Sequence, residues 1–116
     1  MNIEAFREYC LSKPGVSEHF PFDQETLVFK VGGKMFALTS VESFHSVNLK
    51  CDPEKAVELR EQYDGIIPGY HMSKKHWNSV MTDNSVPFSL FRQLIDDSYN
   101  LIVSSLPKKE REKLTV

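Results

Sequence analysis

The sequence has no long apolar run, no segment with the pattern of an export signal and no excess of positive charge. Its apolar runs fall short of the roughly 18 residues that a membrane-spanning helix requires, so we expect no membrane partner. The N-terminal segment MNIEAFREYC carries acidic residues and lacks the apolar stretch of a signal peptide. We therefore expect a cytoplasmic protein.

The sequence also has few cysteines and none of the common catalytic motifs. Cys10 and Cys51 are far apart and match no metal or redox spacing, so we predict reduced thiols. His71 and His76 are five residues apart, which fits no standard ligand motif. A nucleophile built from Cys51 or Ser73 with a histidine is conceivable, but no nucleophile elbow or phosphate-binding glycine motif supports catalysis. The sequence predicts a protein that is not an enzyme and uses no metal or cofactor.

Negative charge slightly exceeds positive charge, since 16 Asp and Glu residues against 14 Lys and Arg residues give a net charge of −2. A strong general affinity for nucleic acid is therefore not expected. The distribution is uneven, because segments 26–50 and 66–82 hold five lysines against one glutamate, a net +4 that leaves −6 for the rest. The sequence predicts either a polarised molecule with one moderately basic region or solvated surface lysines that fall there without consequence.

The N-terminal part of the chain predicts a helix followed by a connector. A chain of 116 residues with 41% hydrophobic residues is the size of one domain. Asn2 is typical of a helix N-cap, and an apolar stripe at helical spacing runs from it to Pro14-Gly15, which ends the helix. Segment 15–25 contains several aromatic residues, which indicates a loop packed onto the body.

A glycine hairpin is the clearest structural pattern in the chain. Thr26–Val31 and Lys34–Thr39 alternate like strands around Gly32-Gly33, a two-residue turn able to take positive φ. This turn predicts that Phe29 lies opposite Phe36. One strand face would then carry Leu27, Phe29, Phe36 and Leu38, and the other Val28, Lys30, Met35 and Ala37. Residues 46–50 predict a third strand.

The second half of the chain predicts two helices separated by about two strands. Asp52-Pro53 is typical of a helix start, and residues 66–69 lead into the next segment. Residues 76–82 are typical of a strand, and Pro87 to Leu106 of a long amphipathic helix. The predicted class is a two-layer α+β domain with an antiparallel sheet covered by helices. We place this domain at residues 1–107 and a charged tail at 108–116.

The segment GYHMSKKHW, residues 69–77, is the strongest candidate for a functional site. It combines two histidines, two lysines and the one tryptophan with no acidic residue. Lysines can contact phosphates, aromatic rings can stack on bases, and histidines can donate hydrogen bonds. The alternative is that Trp77 anchors the core while Lys74 and Lys75 occupy a solvated turn.

At these residues the sequence resembles the MmcQ/YjbR family of small bacterial proteins. The resemblance extends from about Asn2 to Leu106. It rests on Pro14-Gly15 and on the motifs FKVGGKMFAL (Phe29 to Leu38), LKCDPE (Leu49 to Glu54), PGYHMSKKHW (Pro68 to Trp77) and DDSYNLI (Asp96 to Ile102).

The resemblance implies a fold and a way of binding DNA. The implied fold is α-β(3)-α-β(2)-α, similar to that of secretion chaperones and often called CyaY-like. Family members are described as DNA-binding through a double wing, two hairpin-like loops that straddle the duplex. On this sequence the implied first wing is the Gly32-Gly33 turn with Lys30 and Lys34. The implied second wing is the loop with Ser73, Lys74, Lys75 and His76, and Lys50 completes the set of candidate phosphate contacts.

Two other functions remain open at this point. A protein-interaction module would use the strand face around Val28, Met35 and Ala37, alongside self-association, as in the related chaperone fold. A small-ligand protein would use a pocket lined by Tyr70, His71 and Trp77. We favour double-stranded DNA as the partner, with a protein partner as the alternative.

Overall fold

The computed structural model describes residues 1–114 and shows one sheet flanked by helices. In chain order the elements are α1 (Ile3–Leu11), β1 (Val16–His19), β2 (Thr26–Val31), β3 (Lys34–Ser40), β4 (Ser46–Lys50), α2 (Pro53–Gln62), β5 (Ile66–Pro68), β6 (Trp77–Met81), α3 (Phe88–Ser105) and α4 (Lys108–Glu112). The strands lie in the order β1-β2-β3-β4-β6-β5, and all neighbouring strands are antiparallel. The predicted α+β class with an antiparallel sheet is confirmed.

Helices α1, α2 and α3 pack against one face of the sheet, which we call the covered face. Because strand side chains alternate between faces, every second residue points into this layer. The strands contribute Leu27, Phe29, Phe36, Val47, Leu49 and Val80, and α3 contributes Phe91, Leu94, Ile95 and Ile102. The amphipathic period of α3 thus places its apolar stripe on the sheet, as predicted. We call the opposite side of the sheet the open face.

The two helix starts predicted from capping residues are confirmed. The Asn2 side chain accepts a hydrogen bond from the Ala5 N–H at 2.8 Å. The Asp52 carboxylate accepts from the N–H groups of Glu54 and Lys55 at 3.2 and 3.3 Å, with Pro53 in the first helical position. Each cap of this kind stabilises a helix by about 1 kcal/mol, because it satisfies N–H groups that the helix itself cannot.

Strand β1 is the element that the sequence did not predict. Segment 15–25 was expected to be a loop, but Val16–His19 pairs along β2. Val16 is its one aliphatic residue, so the strand has no alternating apolar pattern to reveal it. The element order is therefore α-β(4)-α-β(2)-α(2), with one strand and one short C-terminal helix more than expected. The expectation that the connector's rings pack onto the body is wrong for Phe20 and Phe22, which are 49% and 64% exposed.

The β2–β3 hairpin forms around the predicted turn but with a shifted register. Gly32 and Gly33 have φ of +59° and +78°, the left-handed conformation that two-residue hairpin turns require. A β-bulge follows, so Phe29 lies opposite Ala37 and not opposite Phe36.

The bulge exchanges the faces of two residues in β3. Phe36 and Ala37 both join the covered face, whereas Leu38 packs on the open face. The predicted faces are therefore wrong for Ala37 and Leu38, because strict alternation does not anticipate an extra residue in one strand.

A serine from α3 completes the ladder between β3 and β4. The paired residues run from Thr39–Val47 to Ala37–Leu49. One position further, the buried Ser98 hydroxyl donates to the Phe36 carbonyl at 2.5 Å and accepts from the Lys50 N–H at 2.9 Å. Ser98 thus satisfies two backbone groups where the strands no longer pair directly.

The described part of the predicted tail packs onto the domain. Residues 108–112 form α4, and Leu114 is partly buried against the main core. The structure describes this tail as far as Leu114, so the last two residues of the predicted segment 108–116 lie outside the described residues.

Candidate functional site

The open face carries a small apolar cluster that the helices do not cover. Val28, Leu38 and Trp77 are buried there, with Met35 and Met72 packed against them. Trp77 is only 9% exposed. Its ring is a packing group, which agrees with the alternative interpretation that Trp77 anchors a core.

The segment that precedes Trp77, which we call loop 69–76, folds over this face. The Gly69 N–H donates to the Trp77 carbonyl at 2.8 Å, and the Tyr70 N–H donates to the Ser79 hydroxyl at 3.0 Å. A Cβ on Gly69 would lie 2.7 Å from the Cβ of Trp77, so only glycine allows this approach. The Asn48 side-chain amide donates to the Tyr70 carbonyl at 3.2 Å, which ties the loop to β4.

The other end of loop 69–76 is held by α2. The Arg60 guanidinium donates to the Lys74 carbonyl and, through Nε, to the Asn78 side chain at 2.7 Å. The Lys74 ammonium donates to the Gly69 carbonyl at 3.0 Å. The backbone of the loop is therefore fixed at both ends, while Ser73, Lys75 and His76 have exposed side chains.

Both predicted wings lie at one end of the sheet, which we call the hairpin end. It carries the Gly32-Gly33 turn, and because β4 runs antiparallel to β3, it also carries Lys50. Lys50 lies opposite Trp77, so loop 69–76 enters β6 at the same end. Strands β3 and β6 are two strand spacings apart, about 10 Å.

Not all five lysines of the predicted set point the same way. Lys30 pairs with Met35, and Lys50 pairs with Trp77, so both lie on the open face. The Lys34 ammonium instead donates to the Ser105 hydroxyl at 3.3 Å, on the side of α3.

Lys74 and Lys75 also differ from the expected arrangement. Lys74 folds back onto its own loop, as described above. Lys75 borders a shallow groove on α2 together with Glu54 and Glu58, so acidic residues lie beside the second wing. The structure therefore brings the two loops together at one end but does not gather the five ammonium groups on one face.

Tyr70 and His71 border a cleft on the open face, away from the hairpin turn. The cleft has a volume of about 610 Å³. Its floor is formed by β2, β3 and β4, one wall by the connector after β1, and the other by loop 69–76. The lining residues include Phe22, Asp23, Ser43, His45, Asn48 and Met72. Of the three predicted pocket residues, Trp77 does not line the cleft but packs beside it.

Most of this cleft could not be predicted from the sequence. Phe22 and His45 come from a connector and a turn with no motif, and their approach to Tyr70 depends on the strand order. The aromatic residues of segment 15–25 were the one sign of it in the sequence.

The strand face proposed for protein contact is buried. Val28 and Ala37 are both fully buried, and Met35 is partly covered. Val28 is covered by the open-face cluster, and the bulge turns Ala37 towards the helices. This surface is therefore not available to a partner.

The two cysteines are unpaired and buried. Burial raises the pKa of both thiols, which keeps them protonated at neutral pH. Among residues 1–114, no group of three or more His, Cys, Asp or Glu side chains is arranged to hold a metal ion. No helix in the same range is long and apolar enough to cross a bilayer.

Comparison with known proteins identifies the family. The family model YjbR matches residues 11–101. The chain belongs to the YjbR family. Among its relatives, YbdF of Escherichia coli O157:H7 is 41% identical over 112 residues, which cover 96% of this chain and 92% of that protein. YjbR of Escherichia coli K12 is 36% identical over 115 residues, with 98% of each chain covered.

Solved structures of similar proteins share the fold. The crystal structure of the Deinococcus radiodurans protein DR2400 has a TM-score of 0.93 and 41% identity, covering 99% of this chain and 88% of that one. A Pseudomonas syringae protein has a TM-score of 0.75 and 28% identity, covering 87% and 98%. The names of these YjbR-family and structural relatives state no activity, so function has to be argued from the residues.

Proposed function

We propose that the protein is a non-enzymatic DNA-binding domain that contacts duplex phosphates with its hairpin end. The observation that carries the proposal is that the Gly32-Gly33 turn and loop 69–76 emerge at the same end of the sheet. Phosphate contacts need cationic groups at this end and no base-specific geometry.

Three ammonium groups are available for such contacts. Within residues 1–114, the side chains of Lys30, Lys50 and Lys75 make no hydrogen bond or ion pair. Contact with a phosphate would therefore break no existing interaction. Lys34 and Lys74 donate to a hydroxyl and a carbonyl, and neither is neutralised by an acid.

Helix α4, which lies in the predicted charged tail, adds basic residues near the hairpin end. A Cβ on Gly32 would lie 2.6 Å from Leu106, so the end of α3 contacts the hairpin turn and α4 begins beside it. Lys109 and Arg111 of α4 have no ion-pair partner among the described residues, whereas Lys108 and Lys113 pair with Glu112 and Glu110. These residues extend the cationic end beyond the two loops.

The proposal contains no catalytic step. The nucleophile pairings considered from the sequence gain no support, because burial raises the pKa of Cys51 and the Ser73 hydroxyl makes no hydrogen bond to a histidine in the described chain. A binding role needs neither group.

The proposal is tested by titrating the protein against a short DNA duplex between about 50 and 200 mM salt. The test variant is Lys30→Gln with Lys75→Gln, which removes two ammonium groups that stabilise nothing else. The slope of log K against log salt is negative, and each lost phosphate contact reduces its magnitude by about 0.9, so we expect the slope to become shallower by about 1.8.

The matched control is Arg7→Gln with Arg92→Gln, which removes the same charge on α1 and near the start of α3. Arg92 lies roughly 20 Å along the helix from Ser105. We expect the control to keep the wild-type slope. Absence of binding at the lower salt concentration, or an equal decrease in the control, would overturn the proposal.

A further inference from the structure

The open-face cleft has a construction distinct from the hairpin end. Leu38, Ser40 and Asn48 belong to strands that form its floor, and Phe22 and Tyr70 border it from the connector and from loop 69–76. Both rings are largely exposed, at 64% and 66%. A volume of about 610 Å³, bordered by these two rings and by several polar side chains, is within the range of small-molecule sites.

Four polar side chains at this cleft have no hydrogen-bond partner within the described chain. The imidazoles of His45 and His71 and the hydroxyls of Ser43 and Ser46 make no hydrogen bond to any residue in 1–114. The Asn48 side chain, in contrast, already donates to the Tyr70 carbonyl and accepts from the Ser79 hydroxyl. Asn48 holds the wall in place, and the other four groups are free to bind.

His71 adopts a backbone conformation that its packing does not explain. Its φ is +57°, which is costly for a residue with a Cβ. Phe44 has φ of +43°, but its ring centroid lies 5.8 Å from that of Phe6, and this core contact offsets the backbone strain. The His71 side chain is exposed, and its ring centroid lies 4.0 Å from that of Tyr70. The conformation therefore places an exposed imidazole at the cleft.

The charge around the cleft disfavours anions. No lysine or arginine lines it, and the carboxylate of Asp23 is already bound by the N–H groups of Glu25 and Thr26 at 2.9 and 2.6 Å. These hydrogen bonds lower the pKa of Asp23, so it stays ionised. Next to it, a hydrogen bond with Glu42 raises the pKa of Glu25, which indicates two closely spaced carboxyl groups.

From these features we propose that the cleft binds a planar nitrogen heterocycle that carries no negative charge. The rings of Phe22 and Tyr70 offer faces for stacking, and the free imidazoles and hydroxyls can hydrogen-bond to ring nitrogens and exocyclic groups. The Asp23 carboxylate at the cleft should weaken the binding of phosphorylated forms. The site is separate from the hairpin end and does not depend on DNA binding.

The test uses ¹⁵N-labelled protein and four probes, adenosine, uridine, caffeine and nicotinamide, each at about 2 mM. We expect at least one probe to shift the amide signals of Ser43 to Asn48 and of Tyr70 to Met72. The same probe is then titrated against Tyr70→Ala, which removes an exposed ring and should weaken binding about tenfold. Phe88→Ala, which removes a similarly exposed ring outside the cleft, should leave the affinity unchanged.

Charge and polar contacts are tested separately. AMP should bind more weakly than adenosine, and His45→Ala should weaken binding, whereas His19→Ala on β1 should not. If no probe shifts the cleft signals, if the shifts map elsewhere, or if AMP binds as tightly as adenosine, the proposal is overturned. Lys30→Gln with Lys75→Gln should leave probe binding intact, so failure of DNA binding and failure of this site are distinguishable.

Discussion

The two faces of the sheet are built from the same strands but differ in what covers them. On the covered face, three helices close a continuous apolar core around side chains such as Phe29, Phe36 and Leu49. On the open face, the buried apolar side chains are limited to a small cluster around Trp77, bordered by polar groups and lysines.

This difference separates stability from binding. Burial of apolar area is the main favourable term in folding, and most of it lies on the covered face. The open face instead keeps side chains that folding does not need, among them Lys30, Lys50, His45 and His71. Substitutions on the covered face should therefore change the free energy of unfolding, and substitutions on the open face should mainly change binding.

The same leucine-to-alanine change on each face gives the largest expected effect. Leu49→Ala on the covered face should cost about 4 kcal/mol, because rigid neighbours surround the cavity it leaves. Leu38→Ala on the open face should cost about 2 kcal/mol, because that residue also lines the cleft, where water can enter. Urea unfolding measures both free energies, and an equal or larger loss of stability for Leu38→Ala would contradict the proposed difference between the faces.

Ser98 tests whether the covered face also depends on a polar contact. Ser98→Ala should cost about 2 kcal/mol, because it leaves the Phe36 carbonyl and the Lys50 N–H without a partner. Ser104→Ala is the control, since that exposed hydroxyl bonds only to the Leu101 carbonyl of its own helix. Hydrogen exchange should show faster loss of the Lys50 amide in the first variant, and unchanged exchange there would refute the bridging role.

The pH dependence of stability should originate partly in the helix layer. Partial burial of Asp96 would raise the pKa of its carboxyl group, but hydrogen bonds from Lys13 and Tyr9 outweigh this and lower the pKa. A group whose folded-state pKa is lowered stabilises the protein above its unfolded value of about 3.9, and this contribution is lost as the pH falls through the folded-state pKa. Asp96→Asn should remove that part of the acid sensitivity, at a cost near neutral pH of about 1 kcal/mol. The free energy of unfolding is measured at neutral and acidic pH for the wild type and for Asp96→Asn. An equal loss on acidification in both proteins would contradict this role of Asp96.

His71→Gly should give the smallest change in stability and the opposite sign. Glycine adopts a φ of +57° without strain, so the variant should be unchanged or more stable by up to about 1 kcal/mol. Phe44→Gly relieves the same kind of strain but loses core contacts and should destabilise. Thermal unfolding distinguishes them, and a clear loss for His71→Gly would show that the histidine supports the fold.

Much of the fold could be predicted because local chemistry determines it. Asn2 and Asp52 cap their helices, Gly32-Gly33 forms its turn, and the period of α3 places the correct side chains in the core. The β-bulge and the inserted Ser98 could not be predicted, because they depend on how separate elements meet and leave no periodic pattern. Strand β1 was missed since edge strands need little apolar alternation.

The candidate site was predicted less well, because it depends on the direction of side chains. The two loops do meet at one end of the sheet, but Lys34 turns towards α3 and Lys75 towards α2. Trp77 was ambiguous because a single tryptophan serves packing or stacking equally well. The cleft could not be predicted without the strand order, because its residues His45 and Tyr70 come from segments about 25 residues apart.

The most direct test of the account is the map of amide chemical shifts during titration of the labelled protein with duplex DNA at low salt. If the hairpin end binds the duplex, shifts are expected at Lys30 to Lys34, at Lys50 and at Ser73 to His76, with little change along α1 and the first half of α3. Shifts centred on those helices, or no shifts at a salt concentration of about 50 mM, would contradict it.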